Sequence, residues 1–283
     1  MLSITRQRAL YYMGALLLQG CAGSSPGAVR VGSTNSRQNE TIAEIYALAL
    51  EHAKIRVERR MRFGDDRQLL SSVERKEIDV YPGRLSSDQK LLGGTRAYYE
   101  RRRGLTWLAA SPANVGACVA ASQYAGEQLS LLTLSKCAAL APQLRLAATS
   151  EFVAGGGPLD QLRAAYGGFH FKSVSICEPG TQYYELNLNR ADVANGTTTD
   201  PSVDEDQLVI LADDRHVLPE YRWAPVARMA VLRSHPALGA ALNRVSRIIT
   251  LYALQQMSLH RDLLGMSAGD LAEEFFHRHR GAL

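Results

Sequence analysis

The stretch "KEIDVYPGRLSSD", Lys76 to Asp88, contains the transition that decides the fold. Ile78 to Tyr81 is a short apolar run, and Pro82-Gly83 directly behind it is typical of a turn. The pattern therefore predicts a buried strand that ends at Tyr81. Arg84 then lies at the carboxyl end of that strand, where α/β proteins bind their ligands.

Strands and helices alternate upstream of this stretch. "VRVGSTN" (Val29 to Asn35) predicts a strand that runs into a polar turn, and "ETIAEIYALALEHA" (Glu40 to Ala53) has apolar residues at helical spacing. "KIRVERRMRF" (Lys54 to Phe63) alternates between apolar and charged residues, which predicts a strand with one buried face. This order predicts βαβ units around a mainly parallel sheet.

A second α/β series begins near Ala117, and the chain later returns through "WAPVARMAVL" (Trp223 to Leu232) to amphipathic C-terminal helices. We interpret this as one α/β block inserted into another. The predicted first lobe is discontinuous and comprises residues 29–110 and 224–283, and the second lobe comprises residues 111–223. Two lobes leave a cleft between them, which is a common place for a small-molecule site.

The first residues have the pattern of an export signal. Arg6 and Arg8 precede an apolar stretch, Ala9 to Leu18, that is too short to span a bilayer. "LQGC" resembles the lipobox of bacterial lipoproteins, which predicts a signal peptide over residues 1–20, acylation of Cys21 and a tether over residues 21–28. The mature protein would then be periplasmic or at the cell surface, anchored to a membrane by lipid. The alternative is an ordinary secretory signal.

Composition excludes several classes of function. The 283 residues are 46% hydrophobic and 21% charged, which is typical of a globular protein with a sizeable core. The formal charge of +4 falls to +2 without Arg6 and Arg8, so charge gives no support for nucleic acid binding. No catalytic or metal-binding motif is present, and we predict no enzyme activity, no cofactor and no metal. One disulfide among Cys118, Cys137 and Cys177, or free thiols, are both compatible with the sequence.

Several segments in order resemble the substrate-binding proteins of ABC importers for glycine betaine, choline and related compatible solutes. They are "VRVGSTN", "RKEIDVYP", "GLTWLAASPAN", "CEPGTQYYEL", "RADVANGTTTD", "LVILADDRHVLPEYRWAPVAR" and "HPALGAALNRVS", and the resemblance extends over Val29 to Arg280. It implies a two-lobed, type II periplasmic-binding-protein-like α/β fold, with two Rossmann-like lobes that close by a hinge. It also implies a small-molecule solute, ABC permease and ATPase partners, and a monomer.

The family holds a quaternary ammonium in an aromatic cage, since such a cation donates no hydrogen bonds. Tyr221 matches a cage tyrosine, but Arg84 stands where the family has an aromatic residue and Ala117 where relatives have another. The ligand-binding residues that we predict are Tyr221, Arg84, Asn35, Asn39, Asn114, Tyr81, Thr197, Thr199 and Asp200.

Three alternatives stay open at this point. Arg84 either anchors an anionic or polyhydroxylated ligand in place of the cage, or lies in solvent at the rim. Asn35 and Asn39 either contact the ligand or cap the first long helix. Tyr183 and Tyr184 either pack in the core or replace a lost aromatic. The function that the resemblance implies is delivery of a compatible solute to a permease; the alternatives are a changed solute specificity and a sensor or interaction lipoprotein without transport.

Overall fold

The structure is a computed structural model that describes residues 27–282, apart from the side chain of residue 204. The first elements are β1 (Val29–Gly32), α1 (Arg37–His52), β2 (Val57–Arg60), α2 (Asp66–Glu74), β3 (Val80–Ser86), α3 (Arg96–Arg103) and β4 (Leu105–Trp107). The middle of the chain forms β5 (Ala117–Ala121), α4 (Gln123–Gln128), α5 (Leu134–Leu140), a 3-10 turn (Ala141–Gln143), β6 (Arg145–Thr149), α6 (Ser150–Val153), α7 (Pro158–Tyr166), β7 (Ser173–Cys177), α8 (Gln182–Asn187), β8 (Val193–Thr197), α9 (Pro201–Glu205) and β9 (Val209–Ile210). The last elements are β10 (Tyr221–Arg228), α10 (Met229–Ser234), α11 (Pro236–Ile248), α12 (Leu251–Leu264) and α13 (Ala268–Arg278).

The strands form two five-stranded sheets, which we call the first and second lobe together with their helices. The first sheet has the order β2-β1-β3-β10-β4, with β1 parallel to β2 and β3, and β10 antiparallel to both of its neighbours. The second has the order β7-β6-β8-β5-β9, with β6 parallel to β7 and β8, and β5 antiparallel to its neighbours. The two lobes therefore repeat one strand arrangement.

Local sequence explains where several helices begin and end. The side chain of Ser36 accepts a hydrogen bond from the backbone of Asn39 and caps α1, and Asp65 and Gln68 form a reciprocal capping box at the start of α2. Gly104 ends α3 with a φ of 64°, a backbone conformation that costs glycine little. These caps fix the loops that follow β1 and β2.

Apolar residues cover both faces of the first sheet and both faces of the second. One cluster packs α1, α11, α12 and α13 against β1 and β10, with Ile42, Tyr46, Leu242 and Phe275 buried. A second cluster fills the opposite face of the first sheet around Tyr81, Tyr99 and Trp107. The helical faces predicted from apolar spacing, including Ile42, Ile45 and Tyr46 of α1, are the buried faces.

Strand β3 differs from the prediction. It does not end at Tyr81 but continues through Pro82 and Gly83 to Ser86, paired antiparallel with β10. Pro82 lies opposite Pro225, and their carbonyl oxygens accept hydrogen bonds from Asn39 Nδ2 and Leu108 N, both at 2.8 Å. Both carbonyls thus point away from the partner strand, so the missing N–H groups cost no bond between β3 and β10.

Strand β10 begins at Tyr221, so Tyr221 to Trp223 belong to the first sheet, although the sequence placed the boundary after residue 223.

Cys118, Cys137 and Cys177 are all free thiols, which is the second of the two alternatives above. The predicted signal peptide, Cys21 and most of the tether lie outside the described residues.

Two segments, residues 108–116 and 211–220, connect the lobes, and the first is hydrogen-bonded to the start of β10, which directly follows the second. Ser111 N donates to Trp223 O at 2.7 Å, and Val115 N donates to Tyr221 O at 2.8 Å. A third contact lies outside these crossings, where α12 of the first lobe packs against α9 of the second. The buried side chain of Gln255 on α12 donates to Thr198 O there, at 2.8 Å.

Candidate functional site

The ends of the parallel strands in both sheets face the space between the lobes, and two cavities lie there. The first-lobe cavity, of about 490 Å³, is lined by the loops after β1 and β2 and by Arg84, Val115, Trp223, Thr197 and Thr199. The second-lobe cavity, of about 680 Å³, is lined by the ends of β6 and β8 and the starts of α8 and α9. Thr197 lines both cavities, so they adjoin in one cleft, where two-lobed α/β proteins hold ligands.

Arg84 lies at the rim of the first-lobe cavity, and its charge is compensated. Its Nη2 donates to Asp66 Oδ2 at 2.6 Å, and its side chain is 48% exposed. Its Cζ lies 5.7 Å from the centre of the Tyr221 ring, within the range of a cation–π contact. Arg84 therefore lies at the rim, as one of the two alternatives states, but it is paired with Asp66, and its role as a ligand anchor stays a prediction.

The second-lobe cavity is acidic and partly aromatic. Its lining includes four carboxylates and three aromatic rings, and among the described lining residues there is no lysine, arginine or histidine: Glu151, Asp200, Glu205, Asp262, Phe152, Tyr183 and Tyr184. Glu151 and Glu205 are exposed and form no ion pair within residues 27–282, whereas Asp262 lies 3.6 Å from Arg37 Nη1. A cavity lined by one sign of charge concentrates ligands of the opposite sign.

Asp200 is held in place by three donors. Thr197 N and Thr197 Oγ1 donate to its carboxylate at 2.9 and 2.5 Å, and the buried Tyr183 hydroxyl donates to Oδ2. Burial, followed by the charge of Asp200, raises the pKa of Tyr183, so this hydroxyl stays a donor. Gly196 makes room for that bond, since a Cβ there would lie 1.7 Å from Tyr183 Oη.

Residues 27–278 match the family model described as the substrate-binding domain of the ABC-type glycine betaine transport system. The chain belongs to this family. It is 20% identical to a carnitine transport binding protein of Listeria monocytogenes, over 95% of this chain and 92% of the relative. It is 25% identical to a glycine betaine-binding protein of Escherichia coli, over 87% of this chain and 89% of the relative.

A solved structure described as a glycine betaine/carnitine/choline ABC transporter matches with a TM-score of 0.81 at 22% identity, covering 90% of this chain and all of that one. This confirms the predicted two-lobed, type II fold. The family is one of extracytoplasmic transport proteins and not a family of enzymes. Among the described residues, no helix is long and apolar enough to cross a membrane, and no group of histidine, cysteine and acidic residues could hold a metal ion.

Five of the predicted site residues of this substrate-binding protein line the cleft. Asn35, Arg84 and Thr199 line the first-lobe cavity, Asp200 lines the second-lobe cavity, and Thr197 lines both. Asn35 is partly used by the protein itself, since its Oδ1 accepts a bond from Gly64 N at 3.3 Å. Asn35, Thr197, Thr199 and Asp200 lie at or shortly after the ends of β1 and β8, which explains why the sequence could indicate them, whereas Arg84 lies within β3.

The other predicted site residues support the fold. Asn39 is fully buried, with Oδ1 accepting from Thr34 N and Nδ2 donating to Pro82 O, so the substrate-binding protein uses it to fix the loop after β1. Asn114 joins the crossings, because its Oδ1 accepts from Tyr221 N and its carbonyl oxygen from Thr198 Oγ1. Tyr221 contacts Arg84 but lines neither cavity.

Tyr81 is a core residue, which corrects its prediction as a ligand contact. It is 2% exposed and packs in the cluster with Trp107, and its hydroxyl has no partner among the described residues. Burial raises its pKa well above the ordinary value of a tyrosine. The strand that carries Tyr81 continues to Ser86 and does not end at Tyr81.

The sequence missed several residues that line the cleft of this substrate-binding protein. Glu151 and Phe152 lie in the short helix that directly follows β6, so the strand-end rule could have found them. Glu205 and Asp262 come together only because α9 packs against α12, and no local pattern indicates that. Of the tyrosine pair, Tyr183 is buried, and Tyr184 is 65% exposed in the cavity lining, where its role as a replacement aromatic stays a prediction.

Proposed function

We propose that the protein binds a small solute with a quaternary ammonium group, of the glycine betaine, carnitine or choline type, in the interlobe cleft. We further propose that it delivers this solute to an ABC permease while anchored by lipid at Cys21. The observation that carries the ligand proposal is the lining of the second-lobe cavity, with four carboxylates and no basic side chain among the described residues.

A trimethylammonium group suits this cavity for two physical reasons. It cannot donate hydrogen bonds, so carboxylates stabilise it through their charge and aromatic rings through their faces. Glu151 and Glu205 have no cation paired to them in the described part of the chain, and the ring of Tyr184 is exposed. Each aromatic contact with a cation contributes about 0.5–2 kcal/mol, which adds to the attraction of the carboxylates.

An anionic solute is the weaker alternative, because the cation meant to hold it is already paired. Arg84 forms an ion pair with Asp66, and Asp65 also lines the same cavity. The net charge around the first-lobe cavity is therefore negative as well. The names of the relatives, which bind carnitine and glycine betaine, support the same class of solute.

Anchoring and delivery rest on other observations. The lipobox-like "LQGC" and the small-residue tether support a lipid anchor, and the hinge-connected lobes support capture by closure. A sensor or interaction lipoprotein with the same fold remains the second candidate. Saturable closure on a solute, together with permease-dependent uptake in cells, distinguishes the importer component from that candidate.

Isothermal titration with choline and with its uncharged isostere 3,3-dimethylbutan-1-ol tests the role of charge at constant shape. We expect choline, glycine betaine or carnitine to bind at least about tenfold more tightly than the isostere. The double variant Glu151→Gln/Glu205→Gln should lose most of that preference. Glu273→Gln, an exposed acid on α13 outside both cleft cavities, is the matched control.

Two results would overturn the ligand proposal. One is equal affinity for choline and the isostere, which would remove the electrostatic argument. The other is tight binding of an anionic solute that Arg84→Gln abolishes, which would return Arg84 to the role of an anchor. Failure of uptake with intact solute binding would overturn only the delivery step.

A further inference from the structure

A third cavity lies at the hinge, and it shares no lining residue with the two cleft cavities. This hinge cavity has a volume of about 470 Å³ and is bounded by the turn after β3, the first crossing segment, the start of β10 and the end of α11. Its polar lining residues are Ser86, Ser87, Gln89, Ser111, Arg222 and Arg247. Arg222 lies between Tyr221 and Trp223 on β10, so its side chain points to the opposite side of the strand from theirs.

The charge of the hinge cavity is opposite to that of the cleft. Arg222 and Arg247 line it, and its described lining contains no carboxylate. Neither guanidinium forms an ion pair with an acid in residues 27–282; Arg222 donates only to the carbonyl of Pro112, at 3.3 Å. The nearby carboxylate of Asp88 is bound by Lys90 and by the hydroxyl of Ser86. The guanidinium groups of Arg222 and Arg247 therefore both line the hinge cavity without a carboxylate paired to either in the described residues.

Ser111 supplies an independent observation. It lines the hinge cavity, it is only 1% exposed, and its Oγ has no hydrogen-bond partner among the described residues. A buried hydroxyl without a partner costs free energy, so it calls for a physical reason. Its backbone N–H is already used, donating to Trp223 O, and the free hydroxyl is therefore the remaining donor of this residue.

We propose that the hinge cavity is a second binding site, for a free multivalent oxyanion of the phosphate or polycarboxylate class. Arg222 and Arg247 supply planar donor forks that match such oxygens in pairs. Ser111 Oγ gains the partner that it lacks, and Ser87 and Gln89 supply further donors from the turn after β3. The site joins the first crossing segment to the first lobe, at a distance from the solute in the cleft.

Titration of the purified protein with inorganic phosphate and with citrate, at constant ionic strength and with chloride as the monovalent reference, tests the site. We expect saturable binding of at least one of the two multivalent ions and none of chloride. Arg222→Gln/Arg247→Gln should weaken that binding by about tenfold or more, since two charge-assisted contacts are lost. Arg102→Gln, an exposed arginine on α3 outside the hinge cavity, should leave it unchanged.

A second variant and a second readout keep the test independent of charge. Ser111→Ala should weaken binding several-fold without altering net charge, and the amide NMR signal of Ser111 should shift during the titration. Absence of saturable binding, or unchanged binding in the double arginine variant, would overturn the proposal. Affinity for the solute of the cleft is measured in the same variants, so failure here is distinguishable from failure of the proposed function.

Discussion

Asp79 and Asp192 hold equivalent positions in the two lobes, but only Asp79 is bound by two arginines. Each precedes the third parallel strand of its sheet, β3 or β8, and each accepts backbone and side-chain bonds from an arginine on the first strand. These arginines are Arg30 on β1 and Arg145 on β6. The carbonyl oxygens also match: Asp79 O accepts from Arg228 N, and Asp192 O accepts from Ser122 N, both at 3.0 Å.

The difference lies in the residue that follows on the antiparallel strand. Arg228 adds a side-chain bond to Asp79 Oδ1 at 2.6 Å, while Ser122, at the equivalent position, instead caps α4. The Asp79 side chain is 4% exposed and that of Asp192 is 20% exposed. Strand β10 returns to the first lobe after the chain has formed the second lobe, and its ion pair with Asp79 adds a link to β3. In the second lobe, the equivalent neighbours β5 and β8 lie within one continuous segment of the chain, and no such ion pair joins them in the described residues.

The largest expected effect comes from Asp79→Asn. Two arginines would lose their buried partner, so we expect the free energy of unfolding of the first lobe to fall by about 3–5 kcal/mol. Both tryptophans of the chain, Trp107 and Trp223, lie in the first sheet, so urea denaturation followed by tryptophan fluorescence reports this lobe. A loss below about 1 kcal/mol would show that Asp79 is not the link between β1, β3 and β10.

Arg228→Ser sharpens the comparison, because it gives the first lobe the residue that the second lobe has. The bond from Arg30 remains and one charged bond is lost, so we expect a loss of about 1.5–3 kcal/mol. Serine is itself a good helix cap and leaves the start of α10 intact. The same fluorescence measurement applies. A loss of unfolding free energy as large as that of Asp79→Asn would contradict the inference that Arg30 and Arg228 each contribute part of the stabilisation.

Asp192→Asn should destabilise the second lobe by about 1–2 kcal/mol, less than its counterpart, since the ion pair is partly exposed. Cys118 and Cys137 are buried in this lobe, and burial raises the pKa of each thiol to about 12, so thiol labelling requires opening of the lobe. Labelling rates of these cysteines should rise, while tryptophan fluorescence in urea stays near that of the parent protein. An equal change in both readouts would mean that the lobes unfold together.

Lowering the pH should distinguish the contributions of Asp79 and Asp192 to the stability of their lobes. Burial alone would raise the pKa of Asp79, but hydrogen bonds from Arg30 and Arg228 outweigh it and hold the pKa below its ordinary value. Its contribution to stability is therefore complete above the unfolded pKa of about 3.9 and is lost as pH falls through the lower folded value. Tryptophan-reported stability should fall below about pH 4 in the parent protein and in Asp192→Asn, and less steeply in Asp79→Asn.

The smallest effect is expected at the cleft. Arg84→Gln removes an exposed ion pair with Asp66 and should change the affinity for glycine betaine by less than about threefold. Isothermal titration beside the Glu151→Gln/Glu205→Gln variant measures whether solute binding depends more on the second-lobe face of the cleft than on the first. The reverse ranking would contradict our assignment of the two faces.

The sequence predicted what is local and missed what depends on distant partners. The helix predicted over Glu40 to Ala53, observed as Arg37–His52, and the strand predicted at Val29 follow from patterns within about ten residues. The continuation of β3 past Pro82 does not, because it requires Pro225 on a strand 143 positions later to place both prolines where no N–H is needed. A Pro-Gly pair in the sequence therefore indicates a turn only where no other strand pairs with that segment.

The site divides in the same way. Thr197 and Asp200 follow a strand end and could be selected from the sequence, whereas Tyr81 was selected from the same reasoning with the strand end misplaced by five residues. Glu205 and Asp262 lie 57 positions apart and face one cavity only after α12 has packed across to the second lobe. The local sequence pattern therefore predicts which residues lie at the edge of the cleft, but it does not predict that the second-lobe cavity is acidic.

The contact between α12 and α9 bears on how long the solute that we propose would stay in the cleft. Gln255 donates a buried hydrogen bond to Thr198 O, outside the two crossing segments. This contact must break for the lobes to part fully, and capture by an already open cleft does not require breaking it. The C-terminal helices therefore act on the dissociation rate of the proposed solute more than on its association rate, and α12 does so in addition to placing Asp262 in the lining of the second-lobe cavity.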